Sequence, residues 1–148
     1  MQVKAVGTRY LVRLEPGEDA IESLKRFADS TRIAFAAVRA IGTFERVTLG
    51  YYDLDTQTYQ TQEFDEPVEV LNLTGNIARG EDDERMVHAH VTVGRPDYST
   101  LGGHLVEAVV GPTLEVVIEP GPVTVRRRHD DETGLALWDL EAVETFSI

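Results

Sequence analysis

The sequence predicts an α+β fold in which a strongly curved, mainly antiparallel sheet is flanked by one main helix. Three observations lead to this prediction. Strand-like segments separated by turn residues recur along most of the 148 residues. Only one segment shows the apolar spacing of a long helix, and no linker, repeat or low-complexity stretch interrupts the chain. We therefore expect one domain that spans residues 1–148.

The first elements are predicted to be a strand, a turn and the helix. Residues 8–14 alternate well enough for a strand, and a Pro-Gly pair at 16–17 ends it. The helix is predicted to run from about residue 18 to about Arg32, and the acidic side chains at its start suit the positive end of the helix dipole. Its apolar stripe consists of Ile21, Leu24, Phe27 and Ala28.

The rest of the chain is predicted to form strands. An apolar run from Ile33 to Ile41 is followed by a predicted turn at Gly42-Thr43. Further strands are predicted at residues 45–53, 57–64, 67–75, 86–93, 113–119, 122–128 and 135–140. The apolar segment 114–118 is typical of a central strand covered on both faces, or of a strand at a subunit interface.

The chain has no cysteine. Disulfides, thiolate zinc sites, iron–sulfur clusters and cysteine nucleophiles are therefore excluded, and histidine and carboxylate would have to hold any metal. A chain without cysteine fits the cytoplasm. Segment 1–6 lacks the charged and apolar regions of a signal peptide, and no apolar run approaches the roughly 18 residues of a membrane span. We expect a cytoplasmic protein with no membrane partner.

The charge is strongly acidic, with 26 acidic against 14 basic side chains and a net charge of -12. Such a surface repels phosphate backbones and disfavours nucleic-acid binding; a source adapted to high salt would explain the same composition. The basic run Arg126, Arg127 and Arg128 supplies the candidate contacts if nucleic acid is bound. The acidic segment 130–132 that follows it would cancel much of its field.

Three of the four histidines fall in one short window, at His88, His90 and His104. Because alternate residues of a strand face the same side, His88 and His90 are expected to project together. A third imidazole from a neighbouring strand would complete a three-nitrogen face for zinc or another divalent transition metal, with one position open for water or a ligand. The alternative is a set of hydrogen-bonded histidines on a half-buried strand, without metal.

Other candidate residues carry weaker signals. Glu69 interrupts an apolar strand, so it would be a supporting carboxylate for the metal, or an outward-facing residue of an edge strand. Arg9 and Arg79 could each supply a positive group for a carboxylate ligand, but nothing in the spacing selects them. The acidic segment 81–84 lacks the ligand spacing of a calcium loop and predicts a solvated hairpin tip. A serine hydrolase is not predicted, because no nucleophile-elbow pattern is present.

Five segments occur together in an order that resembles the PPC (plants and prokaryotes conserved) domain. The segments are Ala40–Gly42, Val47–Asp53, Glu69–Ile77, His88–Val91 and Gly102–Leu105. The resemblance extends from about Arg9 to Glu119. It implies a homotrimer and an α/β fold with a largely antiparallel sheet flanked by a helix.

The resemblance also implies two lines of function. Plant members carry AT-hook motifs, bind AT-rich DNA and act in transcription, whereas many prokaryotic members stand alone and lack an assigned activity. This sequence contains no Arg-Gly-Arg-Pro AT-hook. The fold is also similar to that of acetolactate decarboxylase, which holds zinc through three histidines, and His88, His90 and His104 match that pattern.

Three functions follow as hypotheses. The first is a stand-alone trimeric PPC-domain protein with a three-histidine site for a metal or small ligand. The second is a DNA-associated regulator, and the third is a non-catalytic protein-interaction module. The sequence does not decide whether the protein is an enzyme.

Overall fold

A nine-stranded, mainly antiparallel sheet with one helix makes up the fold of residues 1–146, the part of the chain that the structure, a computed structural model, describes. The elements are β1 (Gln2–Val6), β2 (Arg9–Leu14), α1 (Ala20–Thr31), β3 (Ala36–Asp53), β4 (Thr58–Phe64), β5 (Val68–Arg79), β6 (Arg85–Gly94), β7 (Thr100–Pro120), β8 (Val123–His129) and β9 (Ala136–Thr145). The predicted fold class is confirmed. No helix within these residues is long and apolar enough to cross a bilayer.

Four of the strands close into a ring. The main path through the sheet is β1-β2-β7-β3-β5-β8-β9, and β4 pairs with β3. Strand β6 lies off this path and pairs with both β5 and β7, while β3 also pairs with both of them. The ring β3-β5-β6-β7 gives the sheet the strong curvature that the short-strand pattern predicts.

The predicted turn at Gly42-Thr43 is wrong, because β3 runs through it as one 18-residue strand. Gly42 instead marks a bulge, where the register with both neighbouring strands shifts. Its φ is +151°, and an added Cβ would lie 2.2 Å from the carbonyl oxygen of Thr113. Glycine is needed there for close backbone approach in a bent strand rather than for a reversal of the chain.

Two further strand segments were missed by the sequence pattern. All five residues of β1 are exposed, so no alternation marks them. The first half of β7, residues 100–112, was not predicted, yet it continues into the predicted strand 113–119. Its pairing with β6 and β3 holds it in place, which is a tertiary effect that local sequence does not encode.

The helix covers the strands that carry the histidines. The predicted apolar stripe of α1 is buried, and Leu24 and Phe27 lie in one core cluster with Phe44. Tyr10 packs edge-on against Phe27 with ring centroids 5.1 Å apart. The helix contacts β6 and β7, and Arg85 at the start of β6 donates from Nε to the carbonyl oxygen of Ile33, just beyond the helix. The core thereby backs the strands that position the candidate site.

The cap of α1 provides a test of the helix boundary. Asp19 has extended backbone, and its Oδ1 accepts a hydrogen bond from the backbone N–H of Glu22 at 2.7 Å. We expect Asp19→Ala to lower the free energy of unfolding by about 1 kcal/mol, because one N–H of the first turn loses its acceptor. Asp19→Asn keeps a side-chain oxygen that can accept this hydrogen bond, and it should lower the free energy of unfolding by only a few tenths of a kcal/mol. Urea unfolding measures both, and equal losses in the two variants would contradict the capping role.

Candidate metal centre

Three imidazoles converge at the junction of β6 and β7. His88 and His90 lie on one face of β6, and His104 of β7 stands opposite His90 in the strand register. On the other side, β5 holds β6 through the pairs Thr74 with His90 and Asn76 with His88. The three ring centroids are 5.1 to 5.5 Å apart, and one nitrogen from each ring lies within 4.8 Å of the others. The structure thus brings together the three histidines that the spacing singled out.

Two of the ring nitrogens face each other inside the cluster, and a third is buried without a partner among the described residues. The Nε2 atoms of His88 and His90 face each other at 3.3 Å. Nδ1 of His104 is buried and has no hydrogen-bond partner in the described structure. A buried ring nitrogen without a partner costs free energy. The donor set, three imidazoles and no thiolate, fits zinc or a similar transition metal with one position open.

The protonation state of the rings also suits a metal. Burial, together with smaller contributions from the charges of Arg127, His104 and His90, lowers the pKa of His88 to about 4. Burial likewise lowers the pKa of His104, with contributions from His90 and Arg127. At neutral pH both rings are therefore uncharged and carry the free lone pair that metal binding requires.

Arg127 is a site residue that the sequence did not place there. It is only 7% exposed, and its Nη2 donates to His88 Nδ1 at 3.1 Å and to Asn76 Oδ1 at 2.9 Å. Its Nη1 donates to the carbonyl oxygen of Ala136 at 2.8 Å, and its guanidinium carbon lies 5.8 Å from the Trp138 ring centroid. Strand alternation could have indicated that Arg127 faces inward, because the middle residue of three consecutive strand residues faces away from the other two.

The two arginines on either side of Arg127 lie on the opposite face of β8, and each forms an ion pair with an aspartate. Arg126 pairs with Asp83 at 2.9 Å, and Arg128 pairs with Asp139 at 2.9 Å. The three arginines proposed as nucleic-acid contacts therefore do not offer three free charges to a nucleic acid, because Arg127 is buried and its two neighbours are ion-paired.

Glu69 is not brought to the histidines. It pairs with Thr43 and Gly94, and it lies five residues along β5 from Thr74, the residue paired with His90. At about 3.3 Å per residue this separation is roughly 16 Å. Its side chain is exposed, because it lies on the outward face of the strand between Val68 and Val70, which point into the core.

The two other arginines suggested by sequence are also engaged elsewhere. Arg9 Nε lies 2.7 Å from a carboxylate oxygen of Glu119, and Arg79 pairs with Asp83. Neither has a place among the three histidines.

Two tyrosines form an aromatic wall beside the imidazoles. Tyr59 of β4 packs against His104 with ring centroids 4.8 Å apart. Tyr52, its partner in the β3–β4 register, packs edge-on against Tyr59 at 4.9 Å and donates from its hydroxyl to the carbonyl oxygen of Thr133 at 2.6 Å. Burial raises the pKa of Tyr59, so the phenol stays protonated at neutral pH. Sequence reasoning missed both residues, since only strand pairing brings them to His104.

The lowered pKa of His88 predicts how the metal-free protein responds to acid. The pKa of His88 is 6.5 in the unfolded chain and about 4 in the folded protein. Between these two pH values the unfolded chain binds a proton at His88 that the folded protein does not bind. The free energy of unfolding should therefore fall as pH drops through this window. We expect wild type to lose roughly 2–3 kcal/mol more than His88→Gln over that range, measured by urea unfolding after chelation of metal. Parallel pH profiles for the two proteins would contradict this prediction.

Comparison with known proteins identifies the family. A family model for the Plants and Prokaryotes Conserved (PCC) domain matches residues 1–121. A solved structure of a metal-containing protein from Archaeoglobus fulgidus is 35% identical with a TM-score of 0.83, covering 90% of this chain and 94% of that one. Another, of a candidate DNA-binding protein from Bacteroides thetaiotaomicron, is 31% identical with a TM-score of 0.91, covering 95% and 97%.

A curated relative contains a similar segment within a longer chain. Bifunctional protein GlmU from Synechococcus sp. (strain JA-3-3Ab) is 30% identical over 139 residues. The match covers 90% of this chain and 21% of that protein, so the chain spans about a fifth of the length of the curated relative that it matches.

More distant structures confirm the second expected likeness, at the level of the fold alone. Alpha-acetolactate decarboxylase from Bacillus subtilis is 17% identical with a TM-score of 0.57, covering 87% of this chain and 59% of that one. The resemblance carried by the five sequence segments is likewise confirmed by the family match. The chain belongs to the Plants and Prokaryotes Conserved (PCC) domain family.

Proposed function

We propose that His88, His90 and His104 bind one divalent transition-metal ion, with zinc as the first choice, and that this centre takes a small-molecule ligand. The convergence of the three ring nitrogens within 4.8 Å carries the proposal. The unpartnered Nδ1 of His104 supports it, as does the similarity to a metal-containing protein from Archaeoglobus fulgidus. A bound zinc ion would supply Lewis-acid chemistry at its open position, towards water or a carbonyl oxygen.

The protein groups around the centre have separate roles in this proposal. Strands β6 and β7 fix the ligand positions through their backbone ladder. The uncharged state of His88 and His104 leaves their lone pairs available at neutral pH. Tyr59 packs against one side of His104, and Tyr52 packs against Tyr59.

Metal analysis of protein purified without a polyhistidine tag tests the proposal. We expect about one zinc-like ion per chain, and a cobalt(II) derivative with the absorption of a four-coordinate site made of three nitrogens and one exchangeable ligand. The cobalt spectrum should change when a small anion is added. A metal-free protein that also fails to bind added zinc or cobalt would contradict the proposal.

We propose in addition that the protein assembles as a homotrimer. Support comes from apolar side chains that this chain leaves exposed on the sheet, where a depression of about 520 Å³ is lined by residues that include Val3, Leu11, Ile41 and Val117. The side chain of Ile41, for example, is 59% exposed. Contact with another copy of the chain would remove this apolar surface from water. Light scattering should give three times the mass of one chain, and a monomer at micromolar concentration would contradict the assembly.

DNA binding is not the function that this site favours. Similar proteins are named as candidate DNA-binding proteins, but this chain has a net charge of -12 and its basic run is divided between an inward-facing Arg127 and two ion-paired neighbours. Neutralising phosphates would require free cationic side chains on one surface. An interaction module remains the alternative if the metal tests fail.

A further inference from the structure

Arg127 is a buried cation without a carboxylate partner among residues 1–146. Its hydrogen-bond acceptors are all uncharged: His88 Nδ1, Asn76 Oδ1 and the carbonyl oxygen of Ala136. Its Nε is buried and donates to nothing in the described structure. An uncompensated buried charge is costly, and Arg127 is therefore a group whose counter-charge is missing.

The bond between Arg127 and His88 depends on which ring nitrogen carries the proton. Because Nη2 donates to Nδ1 at 3.1 Å, Nδ1 is unprotonated and the proton of the neutral His88 ring lies on Nε2. Nε2 is the atom that faces His90 at 3.3 Å, so it is the one positioned to bind a metal. A neutral ring that binds metal through Nε2 must carry its proton on Nδ1.

Metal binding would therefore turn the acceptor of Arg127 into a donor. Two N–H groups would then face each other across the 3.1 Å contact, and the guanidinium would lose that hydrogen bond. The freed N–H, together with the unpartnered Nε, leaves Arg127 able to donate to another acceptor.

The charge balance indicates what that acceptor is. A divalent ion held by three neutral imidazoles, with one guanidinium in contact with the same His88, makes three positive charges. No carboxylate of the described residues lies within 4.0 Å of Arg127 to offset them. A planar carboxylate matches the guanidinium fork and can also provide an oxygen to the open position of a metal.

We infer that the centre binds a small carboxylate together with its metal, and that Arg127 recognises the carboxylate. The inference rests on the proposed metal-binding function and names the ligand class of the same site. Arg127 comes from β8, beyond the residues 1–121 that the family model matches. The β8–β9 hairpin, rather than the matched segment, therefore supplies the group that selects the ligand.

The inference requires reciprocal coupling between the two ligands. If Arg127 and the metal both contact the carboxylate, the carboxylate strengthens zinc binding by the same factor as zinc strengthens carboxylate binding. We expect acetate in excess to tighten zinc binding about tenfold, relative to chloride at equal ionic strength. Arg127→Gln should still bind zinc but should show a much smaller acetate effect, because the uncharged amide leaves the carboxylate only its contact with the metal.

The control is Arg128→Gln, which removes the next charge on the same strand, from a side chain paired with Asp139 on the outer face. It should keep the acetate effect of wild type. Zinc affinity is measured by competition with a chromogenic chelator for all three proteins, each checked for folding by circular dichroism. Equal acetate effects in wild type and Arg127→Gln, or none in a zinc-binding wild type, would overturn the inference while leaving the metal proposal intact.

Measurements on wild type alone keep the inference testable if Arg127→Gln does not fold. In the cobalt(II) protein, the carboxyl carbon of ¹³C-labelled acetate should show strong paramagnetic relaxation, which requires contact close to the metal. Inorganic phosphate is the competing anion. If phosphate, measured against the same chloride reference, alters zinc affinity as strongly as acetate does, the carboxylate assignment is wrong. If wild type binds no zinc, the metal proposal fails and the inference fails with it.

Discussion

Replacing His104 by glutamine is expected to weaken zinc binding at least about a hundredfold, because loss of a direct ligand should exceed the 10–100-fold effect of groups that only orient ligands. His104 stands opposite His90 in the β6–β7 register, and glutamine fills similar space with no imidazole nitrogen. The zinc dissociation constant, obtained by competition with a chelator, measures the effect. The free energy of unfolding of the metal-free variant should remain within about 1 kcal/mol of wild type, since the buried ring nitrogen that it removes had no partner.

The fourth histidine provides the matched control. His129 lies at the end of β8, where its Nε2 is 3.6 Å from a carboxylate oxygen of Asp131, and it does not belong to the three-histidine group. His129→Gln should bind zinc as wild type does. Similar losses in the two variants would indicate zinc binding by scattered surface histidines.

Gly75→Ala is expected to lower the free energy of unfolding by roughly 2–4 kcal/mol, the range of strongly overpacked core positions. An added Cβ at Gly75 would lie 2.4 Å from the carbonyl oxygen of His88 and 2.8 Å from the Cα and Cβ of Ala89. These are mainly backbone atoms of the strand that carries the histidines, so β5 and β6 would have to separate. Zinc affinity should fall together with stability, because the shift moves His88 and His90 relative to His104.

Gly94→Ala is the comparison on β6 itself. The nearest atoms to an added Cβ there are side-chain carbons of Leu71 at 3.4 Å or more, which is ordinary contact, so the expected cost is below about 1 kcal/mol. Urea unfolding and zinc titration are carried out on both variants. Equal destabilisation would show that loss of glycine in a strand, rather than the close approach of β5 and β6, sets the cost.

The sequence predicted those parts of the fold that local pattern encodes. The helix stripe containing Leu24 and Phe27 was predicted because one buried face repeats every three to four residues. The turn at Gly42 was predicted wrongly, because a glycine needed for close approach to Thr113 has the same local appearance as a glycine in a turn. The first half of β7 escaped prediction, since it is held by pairing with β6 and β3 rather than by its own pattern.

In the candidate site, too, local pattern predicted some features and tertiary contacts determined the others. His88 and His90 share a face by strand alternation, which spacing alone predicts. The contact of Arg127 with His88 joins residues 39 positions apart, and β8 meets β5 at a single paired position, Arg79 with Arg126. The position of β8 against β5 and β6 depends on tertiary contacts between distant parts of the chain, which the local sequence pattern does not encode. Glu69 had two interpretations from sequence, a supporting carboxylate or an outward-facing strand residue, and strand alternation turns it outward.

The closed ring β3-β5-β6-β7 has a consequence for how a metal would be gained and lost. The backbones of His88 and His90 cannot move away from that of His104 unless β6 leaves its pairing with β5 or β7. The fold and its hydrophobic core would therefore hold the three histidines together without an ion, in contrast to small zinc domains in which the metal drives folding. Folding and metallation should be separable events, and a chelator should leave an apoprotein that is still native.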